Sequence, residues 1–412
     1  MSFLLARVIG RVAFGHWAAL QNTVGTISGI AQLSMAVTAT KFVAELARKN
    51  PERVGRILGV CSTTTLTTGV LAAGAIAISA PWFASSVLHA PELTGGLRIS
   101  ALSMLMLTMN GYQIGALAGL ERFRALAALG AFGGLATAVL VTGLALILGL
   151  EGALLGYALA AALTWLAFHA ALRGECRRAG IRVSYSRMSR EMAVLAQFAL
   201  PATLAGVAAM LAAWVSTLLV VRRPGGYAEM AALAAAGSLR GMVLFAPVVI
   251  TRVSSPALAR LVGAGAMERH RGALRGSAWL AGISAAAVAA PIAVAAPWLL
   301  GLFGRSFQGS SAVVAVMAVG GIFEAVGQAL SQQFLSRSRM WWNLVMATGR
   351  GVILVVATYL LVPVNGALGA AWAVFLAYAA AVAFMAAFVA RTETDGLPQR
   401  DLSVKSGPVV PS

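Results

Sequence analysis

Long apolar runs alternate with short polar links along this chain. A helix needs about 20 mostly apolar residues to cross the hydrocarbon layer of a membrane, and eleven runs meet that length. They lie near residues 17–40, 57–79, 99–118, 126–148, 152–172, 197–221, 231–256, 278–300, 311–334, 342–362 and 366–390. The pattern predicts an all-α protein that crosses a membrane many times.

The composition agrees with a lipid environment. Hydrophobic residues make up 59% of the 412 and charged residues only 11%, with a mean hydropathy of +0.85. Soluble domains are about a quarter charged. A chain with this much apolar surface cannot bury it in one core, so its surroundings must be lipid.

The positive charges indicate which side of the membrane each link occupies. The loops 45–56, 121–124, 173–190, 260–275 and 337–339, with the tail after 390, hold 21 of the 31 lysines and arginines. The opposite loops hold six, and four lie inside predicted helices. Positively charged loops face the cytoplasm. The net charge of +18 is therefore a topology signal and predicts no nucleic-acid partner.

The sequence repeats itself with a period near 215 residues. Pro81-Trp82 matches Pro297-Trp298, Gln113 matches Gln328, and Gly152-Ala153-Leu154 matches Gly366-Ala367-Leu368. Both Pro-Trp pairs fall on the non-cytoplasmic side. The halves therefore run in the same direction, as in transporters built from parallel repeats, and six helices per half fit best.

The repeat also predicts how the chain divides. We expect an N-terminal bundle with a basic cytoplasmic linker over 1–190, a C-terminal bundle over 191–392 and a cytoplasmic tail over 393–412. The counterpart of the run 197–221 would end near Val8, so only Met1–Ile9 remains of that helix. The expectation is eleven full transmembrane helices around a central cavity, with the first helix of the repeat largely missing, through either a misassigned start or a real variation.

A few charged side chains lie inside predicted helices, where burial is costly and usually marks a functional site or a paired charge. Arg240 and Arg350 are candidates to bind an anion such as a diphosphate, because a guanidinium matches phosphate oxygens and stays charged. Glu324 is a candidate either for a structural bridge to an arginine or for a coupling-ion site. Lys41 is a weaker candidate for anion binding, since it and Arg252 lie near cytoplasmic ends and can extend to the interface.

Neutral polar residues form a second set of candidates. Asn110, Gln113 and Gln328 lie in the cytoplasmic halves of repeat-related helices. They favour either hydrogen bonds between helices or contacts to a substrate. Two distant cysteines and four scattered histidines predict no metal site and no cofactor. No hydrolase, P-loop or paired-carboxylate motif is present, which argues against an enzyme.

Four stretches resemble the polysaccharide biosynthesis proteins, the Wzx-type O-antigen flippases of the multidrug/oligosaccharidyl-lipid/polysaccharide (MOP) superfamily. They are Thr38–Arg56, Asn110–Arg124, Ala236–Pro247 and Gly366–Tyr378, of which the second is the most specific. The resemblance implies two six-helix bundles around a central, often cationic cavity. It also implies a flippase that moves undecaprenyl-diphosphate-linked oligosaccharide from the cytoplasmic to the periplasmic leaflet, with Arg240 at the family's basic position.

The resulting prediction is a multi-pass protein of the bacterial inner membrane that serves surface polysaccharide biosynthesis. Its expected partners are the lipid-linked glycan, membrane lipids and the polysaccharide polymerase or assembly machinery. The alternative is a multidrug or metabolite exporter of the same architecture. Export of organic cations would favour buried carboxylates, and Glu324 is the candidate for that role.

Overall fold

The described residues of this computed structural model are helical almost throughout, with no β-strand among them. The structure describes residues 1–47, 49–185, 188–263, 266–336 and 340–394. In chain order the helices are α1 Ser2–Ile9, α2 Arg11–Ala31, α3 Met35–Leu46, α4 Pro51–Trp82, α5 Thr94–Gly119, α6 Phe123–Arg178, α7 Met188–Val221, α8 Gly226–Gly263, α9 Met267–Val294, α10 Ala296–Gly301, α11 Ser311–Ser336 and α12 Met340–Thr394.

All eleven predicted apolar runs lie on these helices. Within the described residues, seven helices are long and apolar enough to cross a membrane, or eight if the bent pair α2 and α3 forms one span. That pair corrects the expected single helix over 17–40, because it bends by 45° at Leu33 and Ser34, which have positive φ. The run 278–300 is likewise divided between α9 and α10. Eleven full crossings remain a prediction.

Two glycines break the longest helices at equivalent places. Gly149 in α6 has φ 61° and ψ −134°, and Gly366 in α12 has φ 54° and ψ −129°. Side chains rarely adopt this conformation, so glycine is needed there. The match of Gly152 with Gly366 is therefore wrong by three residues. Gly152 corresponds to Gly369, and a Cβ on either would lie within 2.2 Å of a leucine carbonyl oxygen in the preceding segment.

The start of the chain repeats in the same way. Gly10, before α2, has φ 81°, and Gly225, before α8, has φ 74°; their positions differ by 215. By this register α1 corresponds to residues 217–224, which are the last five residues of α7 and the turn that follows it. The repeats therefore run parallel, with Gly10 and Gly225 at the same end of the molecule, which the charge pattern makes the outer end.

The apolar core differs between the two ends. Described side chains from both halves, including Phe14, Leu97, Leu300 and Phe307, form one large shared core. Toward the cytoplasmic ends, two smaller cores each belong to one half. The first contains residues between 33 and 181, and the second contains residues between 330 and 385. The apolar cores of the halves are thus shared at the outer ends and separate nearer the cytoplasm, where Arg53 and Arg56 form ion pairs with Glu191 of α7.

Candidate functional site

A cluster of polar side chains lies among the helices of the C-terminal half. We call it the Tyr378 cluster; its members are Arg240 on α8, Glu324 and Gln328 on α11, and Arg350 and Tyr378 on α12. Nη2 of Arg240 lies 3.3 Å from Oε2 of Glu324. The Tyr378 hydroxyl donates to Oε1 of Glu324 at 3.0 Å, and Nε2 of Gln328 donates to the same oxygen at 3.3 Å. The carboxylate of Glu324 therefore contacts three neighbouring side chains.

Both arginines of the cluster also approach the phenol ring. Cζ of Arg350 lies 4.9 Å from the Tyr378 ring centroid, and Cζ of Arg240 lies 5.8 Å from it. Guanidinium groups at such distances are attracted to the negative face of the ring. Within the described residues Arg350 has no carboxylate in ion-pair range, so the cluster contains two guanidiniums and one carboxylate. With all three groups ionised, the cluster carries one excess positive charge.

The cluster lies well inside the helices that carry it. Arg240 is 14 residues from the start of α8, which places it roughly 21 Å along the helix axis. Tyr378 follows the break at Gly366 by 12 residues, or about 18 Å. The hydrocarbon layer is about 30 Å thick, so these distances are those of groups at membrane depth and not at a helix end.

Arg240 is the more accessible member of its ion pair. Its side chain is 22% exposed, whereas that of Glu324 is 10% exposed. Oε2 of Glu324 is within ion-pair distance of Arg240 but accepts no hydrogen bond among the described residues. Among the described residues Arg240 is therefore the partner of this oxygen, and it is the member of the pair that a ligand can reach more easily.

The other predicted site residues lie in the N-terminal half. Asn110 and Gln113 are buried on α5, and Nε2 of Gln113 lies 3.5 Å from Nδ1 of His169 on α6. Lys41 is exposed on α3, with its ammonium 5.3 Å from the Phe42 ring centroid. Arg252 lies outside the described side chains. The structure thus unites Arg240, Arg350, Gln328 and Glu324 and places the remaining candidates in the other bundle.

Sequence reasoning missed Tyr378 as a site residue. It is 54 positions from Glu324, and nothing local marks it. The contact between Gln328 and Glu324 could be predicted from the sequence, because residues four apart share one face of a helix.

The repeat registers show that the cluster exists in one half only. The positions equivalent to Arg240, Glu324, Arg350 and Tyr378 are Gly25, Met109, Gly133 and Ala161. None of these four residues carries a charge or a polar side chain. In the part of the chain that the structure describes, no group of three or more His, Cys, Asp or Glu side chains could hold a metal ion.

Two parallel repeats of long apolar helices, with charges held among them, define a multi-pass membrane transporter. The family model of the polysaccharide biosynthesis proteins matches residues 1–262, and the chain belongs to that family. A search of curated proteins finds no significant match.

Solved transporter structures share the fold. An inward-facing multidrug resistance MATE family transporter of the MOP superfamily aligns with a TM-score of 0.76 at 15% identity, covering 96% of this chain and 94% of that one. An outward-facing MATE family transporter gives 0.61 at 16% identity, covering 96% and 95%. The eukaryotic MATE transporter AtDTX14 gives 0.74 at 14% identity, covering 94% and 90%. The predicted fold and family are confirmed.

Proposed function

We propose that the protein is a flippase that moves an undecaprenyl-diphosphate-linked oligosaccharide from the cytoplasmic to the periplasmic leaflet of a bacterial inner membrane. The observation that carries the proposal is the excess positive charge of the Tyr378 cluster within the membrane. A diphosphate is the part of such a lipid that most needs a cationic partner. The lipid tail stays in the bilayer while the headgroup passes between the halves.

The ion pair between Arg240 and Glu324 refines the roles of the two arginines. Arg350 has no carboxylate partner among the described residues, so it makes the first contact with the diphosphate. Arg240 binds the diphosphate second, when the phosphate oxygens replace Glu324 as its partner. Glu324, once it is released from Arg240, is then the candidate for a coupling-ion site.

A multidrug or metabolite exporter is the second candidate. The buried Glu324 supports it, because a membrane-embedded carboxylate is the group that would attract an organic cation. The cluster weighs against it, since two guanidiniums repel such a cargo. The two functions therefore depend on opposite members of the same ion pair.

Complementation separates these functions. In a strain that lacks its own flippase, the wild-type protein should restore surface polysaccharide. Arg240→Ala and Arg350→Ala should each lower it at least tenfold at equal protein level, and Arg98→Ala, which changes an exposed arginine outside the cluster, should not. Purified protein should bind undecaprenyl diphosphate but not undecaprenol, and Glu324→Gln should tighten that binding.

An exporter predicts a different pattern in a companion assay of organic-cation efflux. Glu324→Gln would abolish efflux, whereas Arg240→Ala would leave it intact or increase it. If surface polysaccharide is not restored with several glycan types, and efflux depends on Glu324, the exporter would become the better-supported function. A flippase of this kind would act with a polysaccharide polymerase or assembly machinery, which co-purification from the native host tests.

A further inference from the structure

Arginines at the outer end of the molecule cross from one half to the other. Nη2 of Arg7, at the end of α1, donates to the carbonyl oxygen of Gly301 at 3.1 Å. Arg222, just after α7, donates from Nε to the Val87 carbonyl at 3.0 Å and from Nη2 to the Ser86 carbonyl at 3.2 Å. Each half therefore supplies an arginine to the backbone of the other.

These contacts are reciprocal under the repeat. Arg7 and Arg222 are 215 positions apart, and so are Ser86 and Gly301. The acceptors also share a physical character. Ser86 and Val87 lie in the π-helical turn Phe83–Val87 that follows α4, and Gly301 is the last residue of α10. Helix C-termini present carbonyls without intrahelical partners and attract cations.

Further groups close the same end. Arg11 of α2 donates from Nε to the Ala228 carbonyl at 3.1 Å and from Nη1 to the Ser306 carbonyl. The hydroxyl of Tyr227 on α8 donates to the Leu88 carbonyl at 2.7 Å. All three bonds join residues of opposite halves.

The backbones themselves meet beneath these contacts. A Cβ on Gly15 of α2 would lie 1.8 Å from the carbonyl oxygen of Tyr227 on α8, so no side chain fits there. Lower still, Ala19 of α2 is fully buried against C-terminal residues, among them Val220 and Met230. The outer end is closed by polar bonds at its rim and by close apolar packing below.

We propose that Arg7, Arg11, Arg222 and Tyr227 form an outer latch that holds the halves together while the cytoplasmic side is open and releases once in each transport cycle. The proposal rests on the protein being a two-half transporter and is independent of the cargo. Neutral carbonyl acceptors suit this task. An arginine that leaves a carbonyl at the membrane surface is hydrated by water. Separation of the two halves therefore leaves no buried charge without a partner.

Thiol labelling tests the latch without any substrate. Cys61 and Cys176 are replaced by alanine, and Ala19→Cys is introduced as a probe that is buried unless the halves separate. In lipid nanodiscs, a water-soluble maleimide should label this probe slowly in the otherwise wild-type protein. Replacing Arg7 and Arg222 by alanine removes three exposed arginine–carbonyl bonds and should raise the labelling rate on the order of tenfold.

Two controls distinguish separation of the halves from a general loss of structure. Arg98→Ala removes an exposed arginine that makes no hydrogen bond or ion pair with the described residues, and it should leave the rate unchanged. Ala281→Cys is a fully buried probe within the C-terminal half and should stay unlabelled in the double variant. If the double variant is poorly folded, Arg222→Ala alone removes two of the three bonds.

No increase at Ala19→Cys, or an equal increase at Ala281→Cys, would overturn the latch. The first result would mean that the arginines do not hold the halves together, and the second that their loss loosens one half generally. Failure to restore polysaccharide, with labelling as expected, would remove the flippase and leave the latch standing.

Discussion

The ion pair between Arg240 and Glu324 should be energetically coupled, and a double-mutant cycle measures this coupling. Arg240→Met removes one charge and leaves Glu324 buried without its partner. Breaking a buried pair from one side costs about 3–5 kcal/mol, and the partial exposure of Arg240 favours the lower limit of that range. Glu324→Met also removes the acceptor for Tyr378 and Gln328, so it should cost at least as much.

Replacing both residues should destabilise the protein little more than replacing either one. The expected coupling free energy is therefore about 2–3 kcal/mol. The measurement is equilibrium unfolding of each variant by sodium dodecyl sulfate in mixed micelles. Arg98→Met combined with Glu324→Met provides a control pair, since the structure shows no contact between these two described side chains, and their effects should add within about 0.5 kcal/mol.

A coupling below about 0.5 kcal/mol for the Arg240 pair would refute this reasoning. It would mean that water or lipid headgroups solvate Arg240 enough to make Glu324 irrelevant to it. The exchange of partners proposed for Arg240 during transport would then need no release from Glu324.

The glycine positions give two further predictions. Gly149→Ala forces a side chain into a conformation with φ 61° and ψ −134°, and should lower the free energy of unfolding by about 1–3 kcal/mol in the same assay. Gly152→Val places a side chain where the Leu144 carbonyl already lies, 2.0 Å from the Cβ position, and should reduce the yield of folded protein. Gly143→Ala, with open space around its Cβ, should be tolerated; equal loss in Gly143→Ala would contradict the packing argument.

The helices and their direction were predictable because membrane burial imposes long apolar runs and loop charges report topology. The runs around 126–148 and 152–172, for example, lie on either side of the break at Gly149 as expected. The repeat register at that point was not predictable from identities, since Gly-Ala-Leu occurs at both 152 and 366 by coincidence of composition. The correct match, Gly149 with Gly366, follows from backbone conformation, which the amino-acid sequence does not show.

The site was predictable only in part. Arg240, Glu324 and Arg350 stood out because charges are rare in membrane helices, whereas Tyr378 is an ordinary residue in an apolar run. Contacts between helices decide its role, and these depend on packing over more than 50 positions. The outer arginines were counted as topology signals, and nothing in their sequence neighbourhood indicated carbonyl partners in the opposite half.

Restriction of the Tyr378 cluster to one half has an evolutionary consequence. In an ancestor with two identical copies, twofold symmetry would have generated a second cluster with the same excess positive charge. Across a medium of low dielectric constant, such clusters repel each other. In this chain the equivalent residues Gly25, Met109, Gly133 and Ala161 are uncharged, so that repulsion is absent between these positions. Because both halves belong to one chain, each position can differ between them, so a charged cluster can exist in one half without a symmetric copy, which two identical subunits could not achieve.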